Sequence, residues 1–193
     1  YLIRNEVNMD LIEFVRNSVT KERFEHSQRV AIMARKLAKA HNLDEDEAFV
    51  AGLLHDTCRE IKDEELITLA REYGIEVGDL EQQNPVVLHG KVAAAVLGEE
   101  LNLSHSIQEA ISYHVTGHPK MGQLARIVFL ADKLEDARDY PGVDRLRVIA
   151  LNDYNRALVE VINSSILYLI DKDLPIHQDT IALRNDTLPL VIG

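Results

Sequence analysis

The sequence predicts an all-α fold, a helical bundle with a metal site in its core, and three observations carry the prediction. Apolar residues recur at three- and four-residue spacing along most of the 193 residues, and no alternating strand pattern competes convincingly. Tryptophan is absent and aromatics are only 5%, so a chain that is 46% hydrophobic must fill its core with Leu, Ile, Val and Ala, which suits helix packing. Finally, five separated apolar runs each carry an imidazole or carboxylate on the inward stripe: His26, His55 with Asp56, His89, His114 and Asp132.

Helices are predicted over residues 8–18, 22–41, 46–57, 63–73, 86–101, 106–115, 121–136 and 144–171. In the second, His26, Val30, Met33 and Leu37 fall at i, i+4, i+7 and i+11, so the histidine faces the core. Asp44 followed three residues later by Glu47 is a helix-start pattern, and His55 lies on the stripe of Ala48 and Ala51. Gly74 stops the 63–73 helix, and residues 75–85, ending in Asn84-Pro85, read as a loop. His89 shares a stripe with Ala93 and Val96. Ser106 and Glu109 form a second helix-start pattern, before the stripe of Ile107, Ala110, Ile111 and His114. Asp132 lies on the stripe of Ala125 and Val128, and Pro141-Gly142 turns the chain into the long last helix. That helix carries Leu158, Val161, Ile162, Ser165 and Leu169 on one face, which suits the core or the seam of a homodimer. The stretch from Pro175 onward reads as an extended or packing segment. One domain over residues 1–193 is expected, with a core near 10–171 and a tail at 172–193.

A formal charge of -11 argues against a nucleic-acid partner, which would demand a basic face. The longest apolar stretches, such as Ile127 to Ala131, are too short to span a bilayer, and no N-terminal signal pattern appears. The lone Cys58 rules out an internal disulfide and fits a reducing compartment, so a cytoplasmic protein is expected. Lys120 to Arg147 differs from the rest, with six basic residues against five acids, a balance that suits a small phosphorylated ligand or a solvated helix face.

A single histidine on an apolar face is usually a core residue bonded to a backbone carbonyl. Five inward polar groups are harder to satisfy that way, because helical backbone is already paired. Imidazoles with carboxylates are a donor set that Fe, Mn, Co or Zn accepts.

The order of His26, then His55-Asp56, then Asp132 resembles the H...HD...D pattern of the HD-domain metal-dependent phosphohydrolases. More specifically, the runs Arg23 to Ser27, Gly52 to Asp56, Leu88-His89-Gly90, Tyr113 to Gly117 and Leu130 to Val143 resemble the YqeK-type HD proteins over roughly residues 10 to 170. Relatives commonly have His-Thr-Thr-Gly and a Glu-Pro pair where this chain has His114-Val115-Thr116-Gly117 and Glu135-Asp136.

The resemblance implies symmetric hydrolysis of diadenosine tetraphosphate to two ADP at a metal centre usually assigned to iron. Carried over residue by residue, His26, His55, Asp56 and Asp132 are the expected metal ligands, with His55 and Asp56 at the catalytic centre. His89 and His114 would hold a second metal beside Asp56 or contact phosphates directly. Arg59, one turn past Asp56, offers a fork of donors to a phosphate or else forms a surface salt bridge. Thr116 and Gly117 follow His114 at a helix end, where backbone can approach a phosphate. Arg138 and Tyr140 sit where the family pattern places a nucleotide contact. The expected partner is therefore a small nucleotide. The same metal core would also serve another HD nucleotide phosphohydrolase or a non-catalytic nucleotide-binding module.

Overall fold

In a computed structural model that describes residues 2–192, the chain runs through α1 (Leu2–Ser18), α2 (Lys21–Ala40), α3 (Glu45–Leu54), α4 (Asp63–Glu72) and α5 (Asp79–Gln83). A 3-10 turn (Pro85–Leu88) leads into α6 (His89–Glu100), followed by α7 (His105–Tyr113), α8 (Gln123–Leu134), α9 (Val143–Asn152), α10 (Tyr154–Asp171), α11 (Gln178–Thr187) and α12 (Pro189–Ile192). No strand occurs among the described residues, as predicted. None of their helices is long and apolar enough to cross a membrane.

Helices α2, α3, α7 and α8 pack on one another and form the centre of the bundle. Their inward stripes supply its fully buried side chains, among them Leu37, Leu53, Leu54, Ile111, Ile127, Phe129, Leu130 and Leu134. The tightest approach is between α2 and α3. A Cβ placed on Gly52 would lie 2.9 Å from the Ala31 Cα and 3.1 Å from its nitrogen, so only hydrogen fits there. Because both contacts are backbone, neither can swing aside. Gly52→Ala is expected to force the two helices apart and to lower stability by about 1–3 kcal/mol, read by denaturant unfolding. An unchanged midpoint would show that α2 and α3 separate there at little cost.

Helix starts follow side-chain chemistry. Thr20 accepts from the Arg23 amide, and the Asp44 carboxylate accepts from the amides of Asp46 and Glu47, both at 2.9 Å. Two predicted boundaries move. The cap of α7 is Ser104 rather than Ser106: the Ser104 hydroxyl accepts from the Ile107 amide at 3.4 Å, and both hydroxyls donate to Glu47 of α3. The predicted helix 144–171 is two helices, since Asp153 leaves helical geometry and caps Arg156 at 3.0 Å. Of the stripe predicted on its second half, Leu158, Val161 and Ile162 are core, while Ser165 and Leu169 are half-buried.

Two segments expected without helix are helical in part, and the tail holds both α11 and α12. Residues 75–85 include α5, and the tail includes α11, capped by His177, whose Nδ1 accepts from the Asp179 amide at 3.1 Å. With Nδ1 accepting, Nε2 carries the proton, and it donates to the buried Glu81 at 2.9 Å. This pair ties α11 to α5, and Leu183 of α11 is fully buried. Gly74 takes the left-handed conformation (φ 68°) that the predicted stop after α4 requires.

Candidate metal centre

Four helix ends and the interior of α2 converge on one cavity of about 360 Å³, lined by Arg23, His26, Asp56, Arg59, His89, His114, Val115, Asp132, Lys133 and Arg138. His26 projects from α2 and Asp132 from the last turn of α8. His55 stands at the C-terminal end of α3, His89 where the 3-10 turn becomes α6, and His114 at the end of α7. His55 itself is fully buried behind the cavity wall.

The three helix-end histidines share one device. His55 Nδ1 bonds the Gly52 carbonyl at 2.7 Å, His89 Nδ1 that of Val86 at 2.5 Å and His114 Nδ1 that of Ile111 at 2.7 Å. Each acceptor is three residues upstream, and the Val86 carbonyl accepts from the His89 backbone N–H as well as from its ring. A carbonyl only accepts, so Nδ1 carries hydrogen in every case and each neutral ring turns an Nε2 lone pair inward. Gly90 makes room for this packing, because a Cβ there would meet the His114 ring at 3.0 Å.

The inward atoms form two groups that share Asp56. On one side, His26 Nε2 lies 3.7 Å and His55 Nε2 3.4 Å from Asp56 Oδ2, and Asp132 Oδ1 lies 3.1 Å from His26 Nε2 and 4.0 Å from His55 Nε2. On the other, Asp56 Oδ1 is 3.0 Å from His89 Nε2 and 3.4 Å from His114 Nε2, and the two Nε2 atoms are 3.0 Å apart. Lone pairs facing each other and a carboxylate at such distances repel unless a cation stands among them. His55 Nε2 is also buried with no hydrogen-bond partner among the described residues. The donor set therefore fits a divalent metal: electron pairs are aimed at common points and each ring is held from behind.

Electrostatics agree. Burial alone would raise the Asp56 carboxyl, but His55 together with the imidazoles of His114 and His89 holds it well below the usual carboxylate range. Burial likewise opposes ionisation of Asp132, yet Lys133, His26 and His55 keep it ionised. Burial pushes His114 down to about 4, which leaves it neutral at physiological pH, the form that binds metal.

Basic side chains close over the carboxylates. Arg23 Nη1 donates to Asp56 Oδ2 at 2.7 Å, Lys133 Nζ to Asp132 Oδ2 at 2.5 Å and Arg138 Nη2 to Asp132 Oδ1 at 2.8 Å. Arg23 Nε is buried without an acceptor. Arg59 also lines the cavity, and among the described residues it has no ion-pair partner, unlike the salt-bridged surface arginine that the sequence left open.

Arg59, His89, His114 and Arg138 thus meet at the cavity with the expected metal ligands. Thr116, Gly117 and Tyr140 do not line it, and each has structural work elsewhere. The Thr116 carbonyl accepts from Thr180 of α11 at 2.7 Å, Gly117 (φ 71°) lies against Leu183 where a Cβ would collide, and Tyr140 Oη donates to the Lys133 carbonyl at 3.0 Å. Conversely, Arg23, Lys133 and Glu135 were not singled out from sequence. Arg23 was detectable, three residues before His26 on the same helix face. Lys133 is off the Asp132 stripe, so no periodicity marks it, whereas Glu135, three residues past Asp132, continues that stripe and was open to the same reading.

A bundle of helices whose ends direct histidines and aspartates into one basic cavity defines a helical metal-dependent hydrolase of the HD class, and residues 23–137 match the HD domain. The chain is 33% identical to the symmetrical bis(5'-nucleosyl)-tetraphosphatase of Halalkalibacterium halodurans, over 92% of this chain and 95% of that one. It is also 33% identical to the protein of the same description from Staphylococcus aureus, over 88% of this chain and 89% of that one. A Clostridium acetobutylicum crystal structure described as an HD superfamily hydrolase involved in NAD metabolism superposes with a TM-score of 0.91 at 32% identity, covering 95% of this chain and 97% of that one. The chain belongs to the HD-domain family, within its branch of symmetrical bis(5'-nucleosyl)-tetraphosphatases.

Proposed function

We propose that the protein is a metal-dependent phosphohydrolase that cleaves diadenosine tetraphosphate symmetrically into two ADP. The observation that carries this is a single cavity in which inward imidazole and carboxylate lone pairs stand beside four cations, Arg23, Arg59, Lys133 and Arg138. One wall suits a metal and the other suits a polyphosphate.

His26, His55, Asp56 and Asp132 hold the metal, which is iron in this reading, although the donor set also suits Mn, Co or Zn. His89 and His114, beside Asp56, would hold a second ion or contact the substrate phosphates directly. When bound, such an ion acts as a Lewis acid and lowers the pKa of water from about 15.7 toward 7. The protein's own part is placement. Arg23, Lys133 and Arg138, which pair with Asp56 and Asp132, would be free to turn to phosphate oxygens where those carboxylates served as ligands. They neutralise charge on the bridging oxygen as it leaves. Arg59 meets the polyphosphate from the rim, and together these cations fix which phosphorus faces the water. Symmetric products require that register to place attack between the second and third phosphates. The enzyme works in the cytoplasm on this small nucleotide.

Arg59→Ala is expected to lower kcat/KM about 10- to 100-fold, the worth of one or two charge-assisted hydrogen bonds. Because Arg59 supports no neighbour, the fold is unaffected, and any blurring of register shows as ATP and AMP among the products. Wild-type kinetics in this variant would return Arg59 to the surface. The function itself is tested by metal analysis of the purified protein and chromatography of the products of diadenosine tetraphosphate. Stoichiometric metal with ADP alone supports the reading, whereas ATP plus AMP overturns the register and absence of turnover overturns the substrate.

A further inference from the structure

Three of the four cavity histidines are anchored through Nδ1 by a backbone carbonyl, and the fourth is not. His26 lies inside α2, where the carbonyls are already paired along the helix, so its anchor must come from elsewhere. It comes from Glu135, just past the end of α8 and 2% exposed, whose Oε1 lies 3.3 Å from His26 Nδ1. The other oxygen of the same carboxylate is fully engaged. Oε2 accepts from Arg29 Nε at 2.8 Å and from the Ala137 amide at 2.7 Å. Glu135 is thereby held in one orientation by two donors that cannot become acceptors, and it presents its other oxygen to the imidazole, with Arg138 Nε 3.8 Å from that same oxygen.

We propose that Glu135 is the positioning residue that fixes the tautomer of His26, forcing hydrogen onto Nδ1 and the metal-binding lone pair onto Nε2. The inference rests on the metal-centre reading given above. A carboxylate behind an imidazole also makes that ring a stronger donor than one backed by a carbonyl. The site is therefore asymmetric: His26, on the side it shares with Asp132, is backed by a carboxylate, whereas the other three rings are backed by backbone carbonyls.

The geometry supplies a sharp test. In Glu135→Gln the side chain has one oxygen and one NH2, and the donors Arg29 and Ala137 claim the oxygen. The NH2 must then face His26 Nδ1, so two donors meet. The ring either loses its anchor or moves its hydrogen to Nε2, where the metal should bind. The packing and both outer hydrogen bonds survive, so the substitution addresses the tautomer rather than the fold.

Zinc is the probe, because it suits the donor set and permits NMR. In wild-type protein loaded with Zn2+, the ring spectrum of 15N-labelled histidine is expected to show hydrogen on Nδ1 of His26. In Glu135→Gln, Zn2+ affinity by calorimetry should fall about 10- to 100-fold. The His26 ring signals should change while those of His89 and His114 hold still, a selectivity that a general structural lesion would not give. Equal affinity in the two proteins, or a wild-type His26 without hydrogen on Nδ1, overturns the inference and leaves the metal centre standing. Wild-type protein that takes up no Zn2+ overturns both. If Glu135→Gln fails to fold, the wild-type ring spectrum still decides the matter.

Discussion

Asp56→Asn is expected to abolish turnover while leaving the helices in place. Among the described residues, Asp56 alone is common to both clusters of inward atoms, with Oδ1 toward His89 and His114 and Oδ2 toward His26, His55 and Arg23. Asparagine keeps the shape but turns one of the two oxygens into a donor without a lone pair, and it removes the negative charge. One cluster loses a ligand and the other faces a weaker one. Since a metal ion contributes several kcal/mol of transition-state stabilisation, and each 1.36 kcal/mol is a factor of ten, the loss should be about 1000-fold or greater. Helical content by circular dichroism should match the wild type, because the surrounding core of Leu53, Leu54 and Ile111 is untouched. Retention of full activity with a correctly folded variant would end the proposed mechanism.

Metal should also be the largest single contributor to stability that can be added or withdrawn at will. Without it, His55 Nε2 is an unpartnered buried atom, a cost of about 1–3 kcal/mol, and the His89 and His114 lone pairs face each other across 3.0 Å. An ion that binds only the folded state, at about 1000 times its Kd, adds about 4 kcal/mol. For a chain of this length that corresponds to a rise in Tm of about 8–16 °C. Scanning calorimetry with saturating Mn2+ against a chelator reads it directly. Coincident transitions would mean that the imidazoles are satisfied without an ion.

The parts of this fold that the sequence revealed are those governed by periodicity. The stripe through His26, Val30, Met33 and Leu37 is visible because every fourth residue is apolar, and all four positions are buried. The break at Asp153 was hidden, because apolar residues continue on both sides of it and one side-chain cap decides the outcome. Helix α11 was hidden for a different reason. It is held by contacts distant in sequence, His177 to Glu81 and Thr180 to Thr116, and no local pattern announces them. The same division applies to the candidate site. His26, His55, Asp56, His89, His114 and Asp132 announced themselves as polar residues on apolar stripes. Glu135 continues the Asp132 stripe by three residues and could have been read the same way, but its pairing with His26 and Arg29 of α2 is a contact distant in sequence that no local pattern announces. Thr116, Gly117 and Tyr140 looked like site residues by proximity in sequence, yet their polar groups turn into the frame.

The helix-end histidines have a consequence for how this protein can change. His55 and His114 each end a helix and face the cavity through the same ring, so helix length and site geometry are one variable. A one-residue insertion within α3 or α7 would turn the terminal histidine by about 100° about the helix axis and carry it about 1.5 Å along it. The anchoring carbonyl three residues upstream would travel with it, so the chain would still fold its histidine against its helix, but aimed at the wrong wall. Length variation in such a chain is therefore confined to the connections, such as residues 75–78 and 172–177, which end at no ligand.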